Sequence, residues 1–137
     1  MRKVLLSVGT NHSLLGIRNM VFVKAGYEVV PAKSGAVALQ QIESHRLAAV
    51  IIGHSLSRSL KERITEAAKQ KQLPVVVLHT YGNDAPVSGA DANLCGIEGA
   101  ATILRVLREL LGESKPERAT EEVEQPIGYL RQQSGSL

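Results

Sequence analysis

Short, wholly apolar runs alternate with longer stretches in which apolar residues recur at helical spacing, and the alternation repeats through the first 111 residues. Val4 to Val8 is the first such run, and Gly9-Thr10-Asn11-His12-Ser13 behind it offers turn residues and candidate helix caps. Leu14, Ile17, Val21 and Ala25 then predict a helix with that stripe inward, stopped by Gly26. Tyr27 to Pro31 reads as a second strand. Ser34-Gly35 opens a second helix, with Val37, Ala38 and Ile42 inward and His45 near its end. Ala48 to Ile52 lacks any polar residue, as expected of a central parallel strand covered on both faces. Ser59-x-x-Glu62 matches a capping box, and Leu60, Ile64, Ala67 and Ala68 make one face of the helix it opens. Pro74 introduces a further apolar strand, Val75 to Leu78.

Beyond that strand the rhythm falters. Thr80 to Gly89 contains Gly82, Asn83, Asp84, Pro86 and Ser88, too short and too rich in turn residues for an ordinary crossover helix. One helix is therefore expected to be missing or reduced to a turn. Ala90 to Cys95 is a weaker strand, and a helix from about Glu98 to Leu111 places Ala100, Ile103, Leu104, Leu107 and Leu111 on one side. From Gly112 the chain turns polar, with Glu, Gln, Ser and Pro and no sustained period. Residues 1-111 are thus expected to form one domain and 112-137 a flexible polar tail, in which Ile127, Tyr129 and Leu130 are the only apolar cluster. Five strand-helix steps with buried strands predict an α/β fold built on a doubly wound parallel sheet, a class that binds ligands beyond the carboxyl ends of its strands.

Composition narrows the function classes. Three tyrosines, one phenylalanine and no tryptophan leave an aliphatic core and argue against stacking on nucleic-acid bases. The single Cys95 excludes an internal disulfide and a cysteine-based metal cluster, and fits a reducing, cytoplasmic setting. No stretch approaches the roughly 20 apolar residues of a membrane span. The formal charge of +3 is uneven: residues 1-111 carry thirteen Lys/Arg against eight Asp/Glu, the remainder three against five. Arg58, Lys61, Arg63, Lys69 and Lys71 gather on the third helix and read as a solvated face; without a groove-reading motif, direct nucleic-acid binding is not expected.

Lys3-Val4-Leu5-Leu6, Ala25-Gly26-Tyr27-Glu28-Val29-Val30, Pro74-Val75-Val76-Val77-Leu78 and Gly89-Ala90-Asp91, at their spacing, resemble the response-regulator receiver (CheY-like) family over residues 3-111. The resemblance implies a flavodoxin-like, five-stranded parallel sheet of order 2-1-3-4-5 and a role in two-component or phosphorelay signalling. It also implies where a phosphoryl site would lie. The magnesium-holding acidic pair falls at Val8 and Gly9, the phospho-accepting aspartate at Gly53, the hydroxyl residue after the fourth strand at His79, and the phosphate-pairing lysine at Gly96. None of these carries a carboxylate that could ligate magnesium or accept a phosphoryl group as an acyl phosphate. The expectation is a degenerate pseudo-receiver: no enzyme, no cofactor and no resident metal, working through a protein partner or as a homodimer.

One chemical alternative remains in the residues. His12, His54 and His79 all fall near strand ends and could converge on a metal or small ligand, within a rim that also includes Thr10, Ser55 and Thr80. Ser55 beside His54 is no catalytic pair, since neighbours on an extended segment point to opposite sides and no second glycine completes a nucleophile elbow.

Overall fold

Residues 2–79, 85–95 and 99–113 are described by the computed structural model, except for the side chain of His12. Thr80, Gly96, Glu98 and the Ile127, Tyr129, Leu130 cluster lie outside these residues.

The apolar runs form strands β1 (Val4–Val8), β2 (Glu28–Ala32), β3 (Ala49–Ile52), β4 (Val75–His79) and β5 (Ala92–Cys95). Every neighbouring pair is parallel, and the order is β2-β1-β3-β4-β5. The helices are α1 (His12–Lys24), α2 (Gly35–Ser44), α3 (Arg58–Gln70) and α4 (Ala100–Leu110). Side chains alternate across a strand, so a strand buried on both sides must be apolar at every position. β3 meets that requirement with Val50 and Ile52 on one face and Ala49 and Ile51 on the other. The first face packs with Leu6 and Val8 against Ala38 and Ile42 of α2 and Ile64 and Ala68 of α3. The second packs Leu5, Val76 and Leu78 against Phe22 of α1 and Ile103 and Leu107 of α4. Pro31 sits in β2, an edge strand, where its missing N–H interrupts no interior ladder.

The helix registers depart from the sequence expectation in instructive ways. On α1 the inward stripe is Leu15, Arg18, Phe22 and Ala25, whereas Leu14 and Ile17 are 50% and 60% exposed. The period is the one expected, rotated by one residue, because an arginine occupies an inward position and the single phenylalanine anchors the stripe. On α2, Val37 points outward and Gly35 is buried with Ala38 and Ile42. On α3, Ser57 rather than Ser59 caps the helix by accepting from the Leu60 N–H, and Glu62 pairs with Arg58 at 3.1 Å instead of closing a box. Ile64 and Ala68 face the core as expected, with Leu60 and Ala67 partly buried beside them.

The basic cluster on α3 is not one solvated face. Lys61 is buried, Lys69 bonds Asp91 at 2.8 Å, and Arg58 donates to the carbonyls of Ala85 and Pro86. These contacts pin the short connection into β5. Asp91 also accepts from the Val75 N–H at 2.7 Å, and Val87 is buried. Among the described residues this connection carries no helix, and β5 starts at Ala92, two residues later than the pattern suggested. At the other end of the sheet Glu113 pairs with Lys3 at 2.8 Å and accepts a hydrogen bond from the Tyr27 hydroxyl, fastening the end of α4 beneath β1 and β2.

Candidate functional site

From β1 the chain winds outward to β2 and then returns across to β3, so the winding reverses between β1 and β3. The carboxyl edge at that reversal is where such sheets leave a crevice. Backbone pairing closes its floor: Gly53 N–H donates to the Val8 carbonyl at 2.8 Å, and Gly9 N–H donates to Ala32 at 2.9 Å. Gly9 and Gly53 are thus brought face to face. A Cβ on Gly53 would stand 3.5 Å from the Gly9 Cα and only 2.8 Å from the Val8 carbonyl oxygen, closer than a real side chain approaches backbone. Glycine at 53 is therefore required by this packing.

Arg18 reaches the same point from the second turn of α1. Its Nε and Nη2 donate to Ser7 Oγ at 3.2 and 2.9 Å, and Nη2 donates to the Val8 carbonyl at 2.9 Å. Its Nη1 would lie 3.4 Å from a Cβ on Gly53, and Nη2 3.6 Å from one on Gly9. Ser7 is fully buried and serves as the anchor. Burial lowers the Arg18 pKa from 12.5 to about 10, which leaves the guanidinium charged at neutral pH. No described carboxylate pairs with it. The crevice was expected to lack acids; that it holds a cation was not expected. Sequence reasoning missed Arg18 because arginine in a helix is ordinarily assigned to solvent; the available signal was its place in the stripe Leu15, Arg18, Phe22, at 3- and 4-residue spacing.

Thr10 and Ser55 meet at the mouth, their hydroxyl oxygens 2.7 Å apart, with the Thr10 N–H directed at Ser55 Oγ at 3.4 Å. Ser55 is engaged by Thr10, not by His54. His54 is half-buried next to Gly53. Val8, at the end of β1, turns its side chain into the core. His79, at the end of β4, is buried and its Nε2 lies 2.7 Å from Asn93 Oδ1. That oxygen also accepts from the Val87 N–H, so Nε2 carries the proton and donates. His79 thus spends Nε2 on β5. Among the described residues no three His, Cys, Asp or Glu side chains are grouped as metal ligands. Cys95 is partly buried and in no disulfide.

Two surface features lie elsewhere. The outward face of α1 exposes Leu14, Ile17, Met20 and Val23, each by half or more. An open groove of about 590 Å³ runs between α3 and Ser88-Gly89, lined by Glu62, Thr65, Glu66 and Lys69.

No protein-family model matches the chain. No curated protein matches it either. Solved structures do. The receiver domain of a sensor histidine kinase from Pseudomonas aeruginosa, determined with magnesium in its active-site cleft, superposes with a TM-score of 0.73 at 17% identity, covering 82% of this chain and 100% of that one. A CheY-like response-regulator receiver domain protein from Methanospirillum hungatei gives a TM-score of 0.71 at 19% identity, covering 82% and 95%. The response regulator TrrA from Thermotoga maritima, in complex with Mg²⁺ and BeF, gives 0.69 at 18% identity, covering 79% and 98%. The chain is similar in fold to CheY-like response-regulator receiver domains, and its sheet order and helices are those of that flavodoxin-like architecture.

Proposed function

We propose that the protein is a receiver-like signalling module that works without phosphorylation, through protein-protein contact, in a pathway of the two-component or phosphorelay type. The observation that carries this reading is Arg18. Phosphoryl transfer to a receiver requires a carboxylate nucleophile and a divalent cation held by oxygen ligands. Here Val8, Gly9 and Gly53 offer neither, and a guanidinium bonded to Ser7 and Val8 stands within 3.6 Å of where side chains at Gly9 and Gly53 would begin. A divalent ion entering the crevice would meet a fixed positive charge at close range. His79 and Gly96, the remaining positions of the degenerate site, supply no hydroxyl and no lysine.

Shape is then the working asset, and no catalysis is required of it. The exposed apolar face of α1 supports contact with a protein partner or a second copy of the chain. The shortened connection before β5 gives that side of the domain a contour of its own. The lone cysteine is in keeping with a cytoplasmic setting. Direct nucleic-acid binding forms no part of the proposal. A metal site at His12, His54 and His79 forms no part of it either.

The test is association measured by light scattering and by co-purification with a bound partner, with and without a small-molecule phosphodonor and magnesium. A complex of the same stoichiometry and affinity in both conditions is expected. A complex that forms or dissolves only when phosphodonor is present contradicts the proposal, as does a protein that stays monomeric and retrieves no partner.

A further inference from the structure

A helix that is apolar on both sides is ordinarily covered on both. On α1 the inward side is covered and the outward side is not: Leu14, Ile17, Met20 and Val23 are each exposed by half or more. Gly16 lies on the same outward side, and a Cβ there would meet nothing within 4 Å. The missing side chain leaves a notch that lets a ring or another backbone come close to the helix. Met20 stands one turn beyond it, so a ring laid in the notch would touch the thioether, a favourable contact.

Four apolar side chains fall far short of the roughly 20–30 residues that each side gives to a stable interface, so the face is sized for a short segment. The chain itself supplies one. Its last described residue, Glu113, is fastened to Lys3 at 2.8 Å and to the Tyr27 hydroxyl, in a cleft shared with Ala25 and Gly26 at the C-terminal end of α1. The sequence beyond Glu113 therefore leaves the domain at the Val23 end of the apolar face. Thirteen residues lie between Glu113 and Ile127. A coil of that length spans about 20 Å, against about 14 Å along the helix from Val23 to Leu14. Ile127, Tyr129 and Leu130 bring two aliphatic side chains and one ring, held by the tether at an effective concentration on the order of millimolar. Charge agrees with this placement. The connecting residues carry Glu117, Glu121, Glu122 and Glu124 against Lys115 and Arg118, whereas α1 has no acidic residue and ends on the exposed Lys24.

We propose that the segment Ile127, Tyr129, Leu130 docks in cis on the outward face of α1, with the Tyr129 ring beside Gly16 and Met20. This rests on the reading of α1 as a contact surface only for its consequence, that a partner must first displace the segment. The contact itself is read on the isolated chain, so absence of the cis contact and absence of a partner complex are separate results.

The experiment is an NMR measurement on the isotope-labelled full chain. NOE cross-peaks are expected between the Tyr129 ring and the methyl groups of Ile17 or Met20, with relative intensities that survive about tenfold dilution, as an intramolecular contact does. They are expected to be lost in the triple variant Ile127→Ser, Tyr129→Ser, Leu130→Ser. In that variant the amide signals of Ile17, Met20 and Val23 should shift while those of Ala49 and Ile51 in β3 stay in place. The surface variant Met20→Ser is expected to raise the mobility of Tyr129, by ¹⁵N relaxation. Absence of the cross-peaks overturns the proposal, as do α1 amides that stay in place in the triple variant or a Tyr129 no more mobile in Met20→Ser. So do cross-peaks that arise between labelled and unlabelled chains in a mixed sample, which would assign the face to a second copy.

Discussion

Arg18 and Gly53 meet at the end of β1: the Val8 carbonyl that Nη2 bonds is the group a Cβ at 53 would strike, at 2.8 Å, with Nη1 3.4 Å away. Adding a single methyl tests this. Gly53→Ala places a Cβ 2.8 Å from the Val8 carbonyl oxygen and is expected to destabilise the domain by about 1–3 kcal/mol, read as a lower denaturant midpoint. An unchanged midpoint would show that the floor yields. Gly53→Asp is expected to remain unphosphorylated, since the new carboxylate meets Arg18 and not a magnesium ion. At the opposite end of the sheet, burial and then the Glu113 carboxylate push the Tyr27 pKa from 10.0 up to about 12. Between those values the folded protein keeps a proton that the unfolded chain loses, so stability falls as pH rises through this window. Arg18, lowered from 12.5 to about 10, acts with the opposite sign over nearly the same range. The comparison is therefore between proteins: Tyr27→Phe is expected to lose less stability than the wild type between pH 10 and 12, by denaturation at each pH. Equal losses would contradict the shift assigned to Tyr27. Little of this residue-scale chemistry is legible in the sequence: the spacing Leu15, Arg18, Phe22 signals an arginine turned inward, but nothing signals a glutamate 86 residues distant from its tyrosine.

At the scale of elements, existence and type were readable and register was not. All five strands and four helices follow from the alternation of apolar runs with helical periods. α1 misleads because it is apolar on both sides: Leu14 and Ile17 lie outward and Leu15 and Phe22 inward, and the period alone cannot choose between them. Phe22→Ala is expected to cost about 3–5 kcal/mol, while Ile17→Ala should change stability by no more than about 0.5 kcal/mol. Comparable effects at the two sites would place the buried face elsewhere. The start of α3 misleads for a similar reason, since three serines stand within Ser55-Leu56-Ser57-Arg58-Ser59 and each is an admissible cap. The cap bond is made by Ser57. Ser57→Ala is accordingly expected to lower stability by about 1 kcal/mol and Ser59→Ala to leave it nearly unchanged, by thermal or chemical unfolding. The reverse order would restore the capping box over Ser59 and Glu62.

For the molecule as a whole, strand order was legible only through the resemblance carried by segments such as Ala25-Gly26-Tyr27-Glu28-Val29-Val30 and Gly89-Ala90-Asp91; the lack of polar residues in β3 and in β4 before His79 agrees with their burial from both sides. The reduced connection before β5 was legible as well, since ten turn-rich residues cannot build a full crossover. What stands at the crevice was not. That Val8, Gly9 and Gly53 carry no carboxylate can be read from the chain, but the guanidinium beside them is visible only once α1 is laid against the end of β1. The most direct measurement of that central claim is intact-mass analysis of the folded protein after incubation with a small-molecule phosphodonor and magnesium. The expected result is an unchanged mass. A stoichiometric phosphoryl adduct on the folded domain, labile to base as an acyl phosphate is, would contradict it.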